Sequence, residues 1–199
     1  MKNILMVFVK NPILGKVKTR LAYTIGDEKA LKVYKNLLEH THKIANQVQV
    51  DKAVFYSDYI DEDDIWKKSD FQKFLQKGDN LGDKMSNAFA ETFNMGYISV
   101  VIIGSDCFDL NEDIITDAFK ILEETEIVLG PAKDGGYYLF GMQKHYKQFF
   151  ENKTWSNENV LSDTLKDLSN LKLTFKLLPI LSDVDKEEDL INYPNILNQ

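Results

Sequence analysis

The stretch that most constrains the fold is Val100-Val101-Ile102-Ile103-Gly104-Ser105-Asp106. Consecutive apolar, mostly β-branched residues with no polar alternation read as a strand covered on both faces. Such strands belong to sheets with helices on either side. The run ends at Gly104-Ser105 and delivers Asp106. In an α/β protein, a carboxylate there stands at the carboxyl end of a strand, where these sheets bind ligands. Taken alone, the window leaves Asp106 and Asp109 equally open to capping the helix that starts near Asn111.

The flanking segments repeat the alternation. Ile4 to Val9 reads as a first strand, Ala53 to Tyr56 as a second, Phe71 to Leu75 as a third, Glu126 to Gly130 as a fifth and Leu173 to Leu178 as a last. Between them, Asp27–Gln47, Asp83–Phe93, the segment after Asn111 and Glu158–Leu168 carry apolar residues at helical spacing, with Ser156 as the N-cap of the last of these. A short final helix follows Asp185. The expectation is one α/β domain spanning residues 1–199, with a mainly parallel, mixed sheet and helices on both faces.

Charge and cysteine content narrow the function. The net charge of −7 disfavours duplex nucleic acid, because phosphate backbones need a basic face. Yet Lys10, Lys16, Lys18 and Arg20 fall in one loop with no acid among them, which suits a small anion such as a nucleotide phosphate. The single cysteine, Cys107, excludes an internal disulfide and fits a reducing cytoplasm. The amino-terminal apolar run stops at Lys10 with no small-residue cleavage site, so it reads as a strand. No apolar run reaches membrane-spanning length. The expectation is a cytoplasmic enzyme with small-molecule partners.

Known phosphate motifs do not match the basic loop. Gly15-Lys16 resembles the end of a P-loop, but Lys10 occupies the earlier glycine position and Val17 stands where Ser or Thr should bind magnesium. The cluster Asp61-Glu62-Asp63-Asp64 reads as a solvated helix start in preference to a cation site. His40, His42 and His145 lack metal spacing, and Cys107 has no evident histidine neighbour to activate it. Trp155 offers either a stacking wall for a sugar or base, or core packing. The remaining pieces all follow strands. Two carboxylates from different strand ends, Asp106 and one of Asp183 or Asp185, can share a hard divalent cation that also binds phosphate. The cations of the basic loop would neutralise the rest of the phosphate charge.

Several ordered motifs carry a resemblance. Phe8 to Leu21 contains F-V-K-N-P-x-x-G-K-V-K-T-R-L, Gln76 to Met85 contains Q-K-G-D-N-L-G-D-K-M, and Ile103 to Leu110 contains I-G-S-D-C-F-D-L. Leu129 to Gly141 contains L-G-P-A-K-D-G-G-Y-Y-L-F-G, Trp155-Ser156 precedes Val160-Leu161, and Asp183 to Leu190 contains D-V-D-K-E-E-D-L. The chain thereby resembles, over residues 4–190, a bacterial glycosyltransferase-type family also labelled as arsenosugar-biosynthesis and radical-SAM/selenodomain-associated transferases. That family looks like a branch of the nucleotide-diphospho-sugar transferases of GT-A type, whose relatives include guanylyltransferases of cofactor biosynthesis.

The resemblance implies a nucleotide site on Lys10, Gly15, Lys16, Lys18, Thr19 and Arg20 together with Gln76, Gly78 and Gly82. It implies metal-linked carboxylates at Asp106 and Asp185, holding Mg2+ or Mn2+. It sets Asp134, Gly135, Gly136 and Tyr137, with Trp155, beside the sugar or acceptor. Lys18, Arg20 and Asp134 are then the candidate catalytic groups, the first two neutralising phosphate and Asp134 serving as general base. The expected activity is metal-dependent transfer of a sugar from a nucleotide sugar to a small acceptor. The alternative is nucleotidyl transfer from an NTP to a phosphate acceptor with release of pyrophosphate. A third possibility is a catalytically silent nucleotide-binding protein. The chain departs from the family pattern at Lys84 (Arg), Phe108 (Pro) and Lys186-Glu187 (Thr-Pro), and none of these removes a proposed ligand.

Overall fold

A computed structural model describes residues 2–151, 153–155, 157–194 and 196–197. Among these, seven strands form one sheet: β1 (Asn3–Val9), β2 (Asp51–Tyr56), β3 (Gln72–Leu75), β4 (Ser99–Ile103), β5 (Ile127–Pro131), β6 (Tyr137–Met142) and β7 (Phe175–Leu177). Their order is β3-β2-β1-β4-β6-β5-β7. The pairs β1–β2, β1–β4, β2–β3 and β5–β7 are parallel. β6 runs antiparallel to both β4 and β5. The expected mainly parallel mixed sheet is therefore what the chain forms.

The helices are α1 (Thr19–Ile25), α2 (Asp27–Gln47), α3 (Leu81–Asn94), α4 (Glu112–Ile121) and α5 (Val160–Leu171), with short 3₁₀ turns at Lys147–Phe149 and Glu187–Asn192. Alternate residues of the central strands feed two cores. Leu5, Val7, Val101 and Ile103 pack with Tyr34 and Leu38 of α2 and Ile115 and Phe119 of α4. Ile4, Met6, Val100 and Ile102 pack with Met85 and Phe89 of α3 and Leu168 of α5 on the opposite face. With both faces covered, every residue of β4 is buried, which is why its sequence shows no polar alternation.

Four sequence readings need correction. The segment 10–20 is not loop throughout, because Thr19 and Arg20 open α1. Tyr137–Met142 is a strand, folded back on β5 as a hairpin. Asp61–Asp64 starts no helix. Instead Asp64 accepts hydrogen bonds from the Tyr56 hydroxyl at 2.7 Å and from Lys73 Nζ at 2.8 Å, and so ties the 57–70 segment to β2 and β3. Finally, α4 is capped by Asn111, whose side chain accepts from Ile114 N at 3.0 Å. Asp109 instead accepts from the Tyr193 hydroxyl at 2.7 Å. Neither Asp106 nor Asp109 is the cap. The reading of Ser156 as an N-cap falls outside the described residues.

Candidate functional site

The carboxyl ends of β1, β4 and β5 converge with the segment that follows β7. The loop after β1 is fixed from below. Val17 and Asn11 are buried. The Tyr34 hydroxyl bridges the backbone of Lys10, donating to its carbonyl at 3.0 Å and accepting from its N–H at 2.8 Å, and lies 3.3 Å from Ser105 Oγ. Burial, and then the Asp106 carboxylate, push the pKa of that phenol upward. Asn11 accepts from the amides of Asp58 and Tyr59 and donates to the Tyr59 carbonyl, so it anchors the segment after β2 to the loop after β1.

Lys18 sits at the centre. It takes a left-handed backbone conformation, φ 49°, immediately before α1. Its side chain is only 4% exposed. The ammonium lies 2.8 Å from Asp106 Oδ1 and donates to the Val184 carbonyl at 2.7 Å. The Val184 amide in turn donates to the Asp106 carbonyl at 2.9 Å. Lys18 thus joins the end of β4 to the segment after β7. Its ammonium already serves two protein partners, a tighter role than that of a free phosphate ligand.

The two late aspartates take different places. Asp185 pairs with Arg20 at 2.7 Å in an exposed ion pair. Asp189 accepts from the amides of Asp185 and Lys186, which closes the start of the Glu187–Asn192 turn. Asp183 is the carboxylate that faces Asp106 electrostatically. Burial, then Asp106 and Asp134, push it up to about 7, while Lys18 pulls it down. A half-buried carboxylate among like charges is the local signature of a site prepared for a cation or a shared proton. Sequence placed Asp183 and Asp185 together, and only the fold separates them.

The turn between β5 and β6 completes this side. Asp134 is exposed and accepts from Gly136 N at 2.9 Å. Its charge reaches both Arg20 and Asp183. Gly135 has φ +89°, and a Cβ there would lie 2.1 Å from the Glu158 carbonyl oxygen. Its own carbonyl accepts from Leu161 N at 2.9 Å, docking the start of α5 on the turn. Lys10, Lys16, Thr19 and Arg20 are exposed around this centre, with Gly15 in the turn beside them.

The third predicted group lies beyond the end of β3. Gln76 donates both amide hydrogens, to the carbonyls of Val9 and Phe55 at 3.0 and 2.9 Å. It locks the ends of β1, β2 and β3 together. Gly78 and Gly82 flank the Asn80 cap of α3. Trp155 packs on the bare Cα of Gly82, where an added Cβ would fall 2.2 Å from the indole Nε1. Tyr137 meets the Trp155 ring edge-to-face at 6.5 Å. Trp155 thus stands at the Gln76–Gly82 turn as well as in the aromatic core.

The groups set aside in the sequence remain aside. Cys107 is buried, and burial, with Asp183 next, raises its thiol to about 12, which makes it a poor nucleophile. His40 Nε2 bonds the Leu110 carbonyl, and His145 Nε2 bonds Ser86 Oγ. Among the described residues, no three His, Cys, Asp or Glu side chains stand grouped as a ready-made metal cage. Phe108, at the family's proline position, packs between His40 and Tyr193 at 4.6 and 5.3 Å between ring centroids.

This sheet order, with ligand-type residues gathered at the strand ends, defines a fold of the nucleotide-diphospho-sugar transferase and cytidylyltransferase class. The chain belongs to the family described as "Uncharacterized protein conserved in bacteria (DUF2064)", whose model matches residues 39–157. It is similar to a crystal structure of a "putative nucleotide-diphospho-sugar transferase" from Desulfovibrio desulfuricans G20. That match has 29% identity and a TM-score of 0.88, and covers 98% of this chain and 88% of that one. Two further matches share the fold at 9% identity. A CMP:2-keto-3-deoxy-manno-octonic acid synthetase complexed with CTP gives a TM-score of 0.59, covering 100% of this chain and 99% of that one. The 4-diphosphocytidyl-2C-methyl-D-erythritol synthase from Anaerococcus prevotii DSM 20548 gives 0.55, covering 100% and 96%. No curated protein matches the sequence.

Proposed function

We propose that the protein is a metal-dependent glycosyltransferase, moving a sugar from a nucleotide-sugar donor to a small acceptor. The observation that carries this reading is the Lys18–Asp106 pair, in which an enclosed ammonium holds a half-exposed carboxylate at the end of β4, with the Asp183 carboxyl in its field. Two carboxylates from separate strand ends suit a hard divalent cation that retains open positions for phosphate oxygens. Asp106 and Asp183 would hold Mg2+ or Mn2+, with Asp185 in the exposed pair beside them. Once bound, the cation would supply charge stabilisation to the departing diphosphate.

The chain's own groups do the rest. Arg20 is exposed beside the carboxylates and can exchange Asp185 for a phosphate oxygen. Lys10 and Lys16 add exposed positive charge along the same loop. Lys18 holds Asp106 and the Val184 carbonyl in fixed register, so the carboxylates need no reorganisation when ligand arrives. Asp134, exposed in the turn between β5 and β6, would then face the acceptor and accept the proton of an attacking hydroxyl. The named function of the Desulfovibrio protein supports this assignment.

The second reading is nucleotidyl transfer, in which an acceptor phosphate attacks an NTP and pyrophosphate leaves. The exposed cations Lys10, Lys16 and Arg20 favour it by offering enough charge for a triphosphate. The fold likeness to the synthetase complexed with CTP is consistent with it. Thermal stability measured with Mg2+ and a panel of NTPs and nucleotide sugars separates the two. A ligand at a hundredfold excess over its dissociation constant adds about 2.7 kcal/mol. Selective stabilisation by a nucleotide sugar supports glycosyl transfer. Pyrophosphate release from an NTP supports the second reading, and stabilisation by no nucleotide overturns both.

A further inference from the structure

Two side chains stand out on the surface. Among the described residues, Tyr23 and Ile191 are the most exposed large apolar side chains, at 92% and 80%. Both line one groove of about 890 Å³, between α1 and the Glu187–Asn192 turn. Thr19, Arg20 and Thr24 complete its α1 wall, and Lys186, Glu187 and Glu188 complete the other. Its volume lies within the range of about 300–1,000 Å³ that small-molecule sites occupy.

Packing does not account for this pair. Residues 19, 20, 23 and 24 share one face of α1, because positions four apart recur on a helix. The inward face carries the packing. Leu21 is buried with Val33 and Leu37 of α2, and Ala22 and Ile25 lie against the same cluster. In the turn, Leu190 joins that cluster while its neighbour Ile191 stays exposed. Apolar residues scattered singly on a surface are ordinary. Two of them at the extreme of exposure, lining one groove, mark a binding surface.

The charges of the groove define its ligand. Arg20 and Lys186 are matched in number by Glu187 and Glu188. Arg20 is held by Asp185 at 2.7 Å, and Lys186 lies 3.7 Å from Glu188. Such a lining has no net field to draw a phosphate in. It suits a neutral molecule with an apolar body and a hydroxyl. The groove also meets the candidate centre, because Arg20 belongs to both and the Asp134 charge acts on it. Tyr137 and Trp155 lie elsewhere, against the other core.

We propose that the groove between α1 and the Glu187–Asn192 turn binds a compact neutral alcohol or phenol as the acceptor, its apolar body against Tyr23 and Ile191. That role rests on the transferase reading, to which it adds the class of acceptor. The hydroxyl oxygen of the alcohol bonds to the anomeric carbon of the donor sugar. The bond from that carbon to the diphosphate breaks, and the hydroxyl proton passes to Asp134.

Protein-observed NMR on the whole chain tests this. Phenol and cyclohexanol are titrated, with two controls. Glycerol has hydroxyls without an apolar body, and phenyl phosphate has the ring with a charge. Saturable shifts at α1 and residues 187–191 are expected, with phenol at least about tenfold tighter than either control. Tyr23→Ala and Ile191→Ala should each weaken phenol about fivefold. Both should melt within about two degrees of wild type, because neither side chain is packed. Ile180→Ala, exposed but outside the groove, should bind phenol as wild type does. Glycerol or phenyl phosphate binding as tightly as phenol, no saturable shift, or normal binding by Tyr23→Ala overturns the proposal. So does a dimer by light scattering that Tyr23→Ala dissociates, since the pair would then cover a subunit interface. Phenol binding with no response to any nucleotide in Mg2+ removes the transferase reading and leaves the groove site standing. Nucleotide-sugar binding with no response to either alcohol removes the groove alone.

Discussion

The Lys18 ammonium lies 2.8 Å from Asp106 Oδ1 while its own side chain is almost wholly enclosed. The pair is asymmetric, because the Asp106 side chain is 49% exposed. The lysine is therefore the committed partner, and the carboxylate keeps a face open to solvent and ligand. Replacing Lys18 leaves both the Val184 carbonyl and Asp106 without a donor. Lys18→Met should destabilise the fold by about 1–3 kcal/mol, read as a lower urea midpoint at unchanged slope.

Arg20 makes the opposite prediction. Its pair with Asp185 is exposed on both sides, 67% and 40%. Such pairs contribute little to stability, because water and salt screen them. Arg20→Ala should melt within a degree or two of wild type. Nucleotide binding in Mg2+ should nevertheless weaken about tenfold, with a shallower salt dependence by calorimetry. Unchanged binding would confine Arg20 to the surface.

Asp183 sets a pH dependence whose sign follows from its environment. The folded protein holds this proton to about pH 7, whereas the unfolded chain releases it near 3.8. Between those values the folded state binds more protons, so stability falls as pH rises, and the full cost is present above pH 7. Asp183→Asn removes the cost. The variant should match wild type near pH 4 and exceed it at pH 8 by about 1–4 kcal/mol in denaturant melts without metal. Equal stability at both pH values would mean that the carboxylate is better solvated than its position implies.

Asn11 should matter to more than its own loop. Asn11→Ala removes an acceptor for two amides and a donor to the Tyr59 carbonyl. A loss of about 1–3 kcal/mol is expected. Limited proteolysis should then cut within residues 57–70 before any other segment.

Gly135→Ala adds a left-handed backbone penalty to a collision with the Glu158 carbonyl. The expected loss is at least about 2 kcal/mol. Hydrogen exchange should locate it at the start of α5, through the bond between Leu161 N and the Gly135 carbonyl.

What the sequence conveyed follows the range of the forces involved. β1 and β4 were legible because burial on both faces writes a continuous apolar run. Gln76, Gly82, Asp106 and Trp155 stand in ordered motifs, and the fold places Gln76 and Asp106 just beyond the ends of β3 and β4. The reversal of β6 was not, because strand order depends on pairings such as Val101 with Gly141 that no local pattern encodes. α1 was hidden by the proline, glycines and lysines around it. The different surroundings of Asp183 and Asp185 were also out of reach: residues two apart share a face in an extended chain, whereas here Asp185 pairs with Arg20 and Asp183 lies in the field of Asp106 and Asp134. Lys18 was read as a phosphate ligand because nothing in its neighbours announced that its ammonium would be enclosed.

The enclosed thiol of Cys107 has a practical corollary. It is the chain's one sulfhydryl, and deprotonation is pushed so far up that maleimides at neutral pH should leave it untouched. The wild-type protein is therefore a chemical blank. A single cysteine installed at an exposed position such as Tyr23 or Ile191 would carry a dye or spin label with no background, and no protective mutation beside Asp106 would be needed.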